Sequence, residues 1–239
     1  MADKITIVIP AGGPGQGMYP LTAGMPKSLI PIRTKPMLIH HLEALDPTVF
    51  KKVIIVGDKY FPMVKEYVDA FKSKTPIEIE YKQLFVPPTD QLRELKGELS
   101  DHFAIHFNDV VTGKIEWKKA YQKFLKAKEK DKSVSGVLFV SREYGLPIGV
   151  IKVGKSGEYI EEFIEKPHTI LNNLVNMAVA IFDTSFIDYI EKDHINLFGE
   201  SVPFAMKKGR KFLYQVHGDW HHYQRMADWV DTQTEFYKK

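Results

Sequence analysis

The sequence predicts an α/β fold in which a mixed, mostly parallel sheet is flanked by helices. Short runs rich in β-branched residues alternate with longer amphipathic stretches, and a glycine-rich turn follows directly on the first run, where a doubly wound sheet opens its ligand crevice. Composition agrees. The chain has 239 residues, 44% of them hydrophobic and 26% charged, a net charge of +3 and no cysteine, the profile of an ordinary globular protein. A chain of this length buries about three quarters of the surface it exposes when unfolded, so it needs no disulfide. Without cysteine, thiol nucleophiles and iron–sulfur clusters are excluded.

The runs Ile5 to Pro10, Val53 to Val56, Ile77 to Tyr81, Phe103 to Phe107 and Val134 to Val140 read as buried strands. Helical periodicity falls between them, at Pro36 to Leu45, Phe61 to Lys72, Gln91 to Leu99 and Ile115 to Lys130. Past Gly145 the spacing changes. Gly149 to Val153 and Tyr159 to Ile164 predict a hairpin about the Gly154–Gly157 turn, and Met177 to Phe182 and Phe212 to Val216 predict further strands. Helices are expected at Ser185 to Glu191, Ser201 to Lys208 and Met226 to Tyr237. No linker or repeat interrupts the chain, so residues 1–239 read as a single domain. Its first part, to about residue 145, carries the glycine turn; the remainder is a β-rich portion ending in a helix.

The densest charge run, Lys114 to Lys132, has Trp117, Tyr121, Phe124 and Leu125 at helical spacing with lysines opposite. That pattern is a solvated helix face over a core, and with so balanced an overall charge it predicts no nucleic-acid partner. No window approaches the roughly 18 apolar residues of a spanning helix. Met1-Ala2-Asp3-Lys4 runs straight into the first strand, which predicts a cytoplasmic protein with no membrane partner.

The segment Ala11-Gly12-Gly13-Pro14-Gly15-Gln16-Gly17 places four glycines just past the first strand. Successive amides without side chains curl into an anion nest, which suits a nucleoside triphosphate. The spacing is neither a Walker loop nor a dinucleotide fingerprint, and the prolines at 20, 26 and 31 oppose a helix starting at once. Lys27, held between Pro26 and Pro31, brings an ammonium near the loop.

Here the sequence resembles the sugar-phosphate nucleotidyltransferases, whose opening reads A-G-G-x-G-T-R-L-x-P-L-T followed by P-K. Ala11, Gly12, Gly13, Gly15, Pro20, Leu21, Thr22, Pro26 and Lys27 match in order. The resemblance implies the Rossmann-like nucleotide-diphospho-sugar transferase fold, with residues to about 145 binding nucleotide and those from about 146 binding sugar. It implies transfer of a nucleoside monophosphate from a nucleoside triphosphate to a sugar-1-phosphate or similar phosphate. Ala11, Gly12, Gly13 and Gly15 then cradle phosphate, Gln83 reads the base, and Lys27, Asp109 and Lys166 serve the reacting groups. Gly149, Glu165, Lys166 and Asn176 fall on the sugar side. Asp109 and the position of His222 imply a site for magnesium or manganese.

Several positions depart from the family pattern. Gln16 and Gly17 replace the family threonine and arginine, so the pyrophosphate loses a cation. His222 replaces a metal-binding carboxylate, and imidazole suits manganese or zinc better than magnesium; Asp219 and Asp228 are candidates for the missing oxygen ligand. Asn108 precedes Asp109 where the family has glycine, and Asn176-Met177-Ala178 replaces Asn-x-Gly. A nucleotide-sugar-binding or regulatory homologue with little turnover is therefore the alternative. A dinucleotide-dependent oxidoreductase is disfavoured, since only Asp58 offers an acidic group past the second strand. Self-association, the base and the acceptor stay open at this level. The sequence ends soon after the last expected helix, so the left-handed β-helix extension of some relatives is not expected.

Overall fold

A computed structural model describes residues 3–71, 75–142, 149–165 and 174–237. The parallel core of the sheet consists of β1 (Ile5–Pro10), β4 (Phe50–Gly57), β5 (Glu78–Gln83) and β6 (His102–His106), in the order β5-β4-β1-β6. Strands β2 (Pro31–Ile32) and β3 (Lys35–Pro36) form a separate small hairpin. With β1 between β4 and β6, chain connections leave in opposite directions from the same strand end, which opens a crevice there.

The second half is attached through β11 (Val175–Asp183), antiparallel to β6. Beyond β11 lies β8 (Val134–Ser141), followed by β12 (Lys211–Val216) parallel to it. The expected hairpin forms as β9 (Val150–Val153) and β10 (Ile160–Ile164), and β9 touches the start of β11 at Val175. Four residues of β11 span two of β8 between Asn176 and Ala180, and Ala178 at the centre has φ +56°. This bulge bends β11 so that one end serves the main sheet and the other the hairpin.

Alternation along the strands divides the core into two layers. Ile7, Ile9, Val53, Ile55, Val137 and Phe139 face one side, under α1 (Met37–Glu43), α2 (Phe61–Asp69) and α4 (Trp117–Lys130). Val8, Ile54, Val56, Leu138 and Val140 face the other, with α3 (Pro88–Leu95) and α5 (Val202–Lys207). Such double-sided burial is why these strands read as continuous apolar runs. On α4, Trp117, Ala120, Tyr121 and Phe124 are buried as the helical spacing predicts, and Trp117 meets Phe50 and Phe139 edge-on, each at 5.0 Å.

Local differences from the sequence reading have steric causes. Residues Gln16 to Leu29 form three 3₁₀ turns where the prolines prevent a helix. The expected helix at Ser185 is a 3₁₀ segment, Thr184–Tyr189, capped by the Asp183 carboxylate, and a π turn, Leu197–Ser201, precedes α5. The strand expected from Phe103 to Phe107 stops short of Asp109. β6 stops at His106, and Asp109 lies in the turn closed by the Val110 amide on the Phe107 carbonyl, 3.2 Å. After that turn, β7 (Val110–Thr112) pairs with β13 (Trp220–His222), ahead of α6 (Met226–Tyr237).

Candidate active site

The glycine turn extends the sheet before leaving it. Ala11 is buried and its amide still donates to the Val56 carbonyl, 2.7 Å, so the loop starts from a fixed strand end. Gly13 has φ +113° and Gly15 φ +59°, conformations that side chains disfavour. The loop also lacks room: a Cβ on Gly15 would stand 2.7 Å from Thr22 Cγ2. Thr22 donates its hydroxyl to the Gly15 carbonyl at 2.9 Å, which fixes the turn.

One loop amide is already engaged. Gly13 donates its N–H to Asp58 Oδ2 at 2.7 Å, and the carbonyl of Asp58 in turn accepts from Gln83 Nε2 at 3.1 Å. Gln83 ends β5, two residues past the expected strand end at Tyr81, and lies beside the loop through Asp58. The sequence reading assigned no role to Asp58; its signal was an acidic residue immediately past the second long strand.

Lys27 stands on the other side of the loop, its Cβ 3.5 Å from the position a Gly15 Cβ would take. Its Nζ reaches Asp109 Oδ2 at 3.2 Å, and His222 Nε2 approaches the same oxygen at 3.5 Å. The pairing of β13 with β7 sets His222 opposite Val110, next to Asp109, and Tyr223 donates its amide to the Asp109 carbonyl at 2.8 Å. Burial alone would raise the Asp109 carboxyl; His222 and Lys27 together hold it well below the usual carboxylate range.

Two buried histidines grip this turn from beneath. His41 Nε2 donates to the Asn108 carbonyl at 2.8 Å and His106 Nε2 to the Val110 carbonyl at 2.9 Å. Their rings meet edge to face at 4.4 Å. Burial pushes His41 down to about 4 and His106 well below its ordinary value, so both are neutral donors at pH 7.

Asp109 and His222 also line a cavity of about 400 Å³ whose walls include Phe107, Gly149, Glu165 and Asn176. Gly149 is close-packed: a Cβ there would lie 2.7 Å from Glu165 Oε2 and 3.0 Å from the Phe163 ring. Asn176 Oδ1 accepts the Ala178 amide at 3.2 Å, across the bulge in β11. Contacts thus run continuously from Gln83 through Asp58, the glycines and Lys27 to Asp109, His222 and the cavity. Lys166 lies outside the described residues.

The candidate substitutes for a second carboxylate do not reach Asp109. Asp228 Oδ2 accepts the amides of Gln224 and Arg225, capping α6, and Asp219 packs against Gly113 on a different cleft. Of the paired histidines, His222 faces Asp109 and His221 is exposed toward that other cleft. Among the described residues, no three His, Asp or Glu side chains assemble as a metal cage. Asp109 and His222 do present one oxygen and one nitrogen donor on the same cavity wall, a partial set that fits an ion sharing its remaining positions with phosphate oxygens. No helix among the described residues is long and apolar enough to cross a membrane.

The profile of the nucleotidyl transferase family matches residues 6–234. The catalytic subunit beta of mannose-1-phosphate guanylyltransferase from Xenopus tropicalis is 26% identical over 223 residues, covering 89% of this chain and 59% of that one. Its namesake from Dictyostelium discoideum is 25% identical over 219 residues, with the same coverage of each chain. The chain therefore spans about 59% of the length of these curated relatives. In fold, it superimposes on a UDP-glucose pyrophosphorylase complexed with UDP-glucose at a TM-score of 0.76, covering 99% of both chains at 16% identity.

Proposed function

The chain belongs to the nucleotidyl transferase family, and on that premise we propose that it transfers a nucleoside monophosphate from a nucleoside triphosphate to a sugar-1-phosphate or similar phosphate, releasing pyrophosphate. The observation carrying this reading is the convergence of Lys27 and His222 on Asp109, between the glycine loop and the acceptor-sized cavity.

An oxygen of the acceptor phosphate attacks the α-phosphorus in line, the bond from that phosphorus to the bridging oxygen breaks, and its electron pair leaves on pyrophosphate. The attacking oxygen is already anionic, so no base is required. What the protein must do is hold two anions together and offset their charge. Gly12, Gly13 and Gly15 follow buried Ala11 and present amides to the phosphates; Gln83 reads the base; Lys27 swings between Asp109 and the reacting phosphates. Gly149 leaves room for Glu165, which with Asn176 and Lys166 orients the acceptor. Asp109 and His222 would hold a divalent ion, manganese or zinc in preference to magnesium by donor type; such an ion supplies further charge neutralisation. The reading places the protein in the cytoplasm, where nucleoside triphosphates are made, without a membrane or nucleic-acid partner.

The test is pyrophosphate release with a panel of triphosphates and sugar-1-phosphates, in magnesium and then manganese. The relatives make GTP and mannose-1-phosphate the first pair to try. Turnover with one pair supports the reading. No turnover with any pair, together with a raised melting temperature in an NDP-sugar, would replace it with a nucleotide-sugar-binding or regulatory role. One observation favours that second reading: the Asp58 carboxylate sits on a loop amide that a triphosphate would use.

A further inference from the structure

The lysine face of α4 borders a groove as well as solvent. Lys119, Lys123, Lys126 and Lys130 follow one another at intervals of four, three and four residues, so they form a single stripe about 16 Å long. All four line a groove of about 530 Å³ whose opposite wall consists of Glu158, Tyr159, Leu213 and Gln215. The sheet builds that wall. Tyr159, immediately before β10, bridges to Leu213 on β12 and so holds the β9–β10 hairpin against that strand. The volume falls in the range of small-molecule sites, and the lining shares no residue with the glycine loop or the Asp109 cavity.

Charge in the groove is one-sided. Among the described residues that line it, Glu158 is the single carboxylate against four lysines. Lys119 pairs with Glu116 at 3.0 Å, outside that lining. Lys123 is half-buried; its ammonium donates to the Tyr214 carbonyl at 2.9 Å and stands 5.1 Å from the centre of the Tyr214 ring. Burial pushes the Lys123 ammonium down, with Glu158 opposing the shift and Lys119 adding to it. Lys126 and Lys130 are exposed, and no carboxylate among the described residues pairs with either. Nearby lysines that hold the fold together are paired: Lys128 reaches Asp183 at 2.8 Å and Lys211 reaches Asp131 at 2.7 Å. Like charges three and four residues apart on a helix repel one another. A ligand carrying several negative charges relieves that repulsion.

We propose that this groove is a second ligand site, separate from the glycine-loop crevice, and that it takes a chain of phosphates. Lysine binds phosphate as a point charge, and a stripe of ammonium groups matches a ligand whose charges are also in a row. Two sources share this chemistry, a nucleoside triphosphate and an inorganic polyphosphate. The site stands independently of the transfer reaction proposed above.

Calorimetric titration of the full chain at low salt, with inorganic tripolyphosphate and separately with ATP, tests the assignment. Lys126→Gln/Lys130→Gln should weaken tripolyphosphate binding at the groove about 10- to 100-fold, at an unaltered melting temperature because both side chains are exposed. Lys118→Gln/Lys132→Gln removes the same charge from exposed positions outside the groove and should leave the affinity unchanged. Tripolyphosphate held at the glycine loop is told apart by Lys27→Met, which should retain the groove's binding event while Lys126→Gln/Lys130→Gln loses it. Tighter binding of ATP than of tripolyphosphate at the groove supports the site with a nucleotide as ligand; equal or weaker binding of ATP supports it with the phosphate chain alone. Equal affinity and stoichiometry in Lys126→Gln/Lys130→Gln and the unsubstituted protein overturn the proposal. An equal loss in Lys118→Gln/Lys132→Gln, or no tripolyphosphate binding by the unsubstituted protein, overturns it as well.

Discussion

The carboxylate of Asp58 accepts the backbone N–H of Gly13 at 2.7 Å, so the protein's own anion occupies one amide of the glycine loop. The contact spans 45 residues and joins the loops that follow β1 and β4. It orders the glycine turn while placing a like charge beside any bound triphosphate. Asp58→Asn keeps an acceptor oxygen for Gly13 and removes the charge. Triphosphate affinity should then rise about five- to tenfold, measured by calorimetry at low salt. A weaker affinity would instead assign the carboxylate a favourable contact with the nucleotide.

Lys27 gives a sharper effect of opposite sign. Its side chain is 17% exposed and reaches Asp109 from a 3₁₀ turn that is fixed by prolines on either side, so removing its charge should leave the loop in place. Lys27→Met preserves the stem and deletes the ammonium. Loss of one preorganised cation at a phosphoryl-transfer centre costs about 100- to 1,000-fold in rate. Pyrophosphate release should fall by that factor, with the melting temperature lowered only by what Asp109 loses with this partner and the fold kept, whereas an unchanged rate would remove Lys27 from the reacting groups.

Much of this arrangement was legible in the sequence, for identifiable reasons. Strands such as β1 and β4 are buried on both faces, and a run like Ile5-Thr6-Ile7-Val8-Ile9 has few other uses. The spacing of Trp117, Tyr121 and Phe124 on α4 carries its own periodicity. The ordered match from Ala11 to Lys27 located the loop and its lysine. What stayed hidden depends on contacts distant in sequence. Three-residue strands β7 and β13 have no pattern of their own, yet their register is what brings His222 to Asp109. Gly17 reads as a lost arginine until Gln224 is seen packed on it. Asp58 acts only through a loop 45 residues away.

Ala178 ties such a departure to stability. The family pattern carries glycine at this position, and the bulge in β11 holds Ala178 at φ +56°. An L-residue in that conformation costs about 1–2 kcal/mol, against about 0.4–1 kcal/mol for the extra freedom glycine has in the unfolded chain. Ala178→Gly should therefore stabilise the protein by about 0.5–1 kcal/mol, seen as a higher urea midpoint at unchanged slope. Because Ala178 also borders the cavity, the same change should widen that cavity without moving Asn176. A lower midpoint would mean that the methyl group contributes more by packing than its backbone conformation costs.

The histidines under the Asp109 turn predict how acid undoes the fold. In the unfolded chain His41 titrates near 6.5; in the folded protein burial pushes it down to about 4. Between those values the unfolded state binds more protons, so stability rises with pH there and is lost as pH falls from about 6.5 toward 4. The full difference for His41 is worth about 3 kcal/mol, and His106 is shifted in the same direction. Asp109, Asp183 and Asp228, whose carboxyls are held low by their partners, lose their contributions only in stronger acid. Urea denaturation from pH 7 to pH 4.5 should show the decline, and His41→Gln, which can still donate to the Asn108 carbonyl, should flatten it while lowering stability at pH 7. Parallel pH profiles for the two proteins would show that His41 is not the group whose protonation is resisted by the fold.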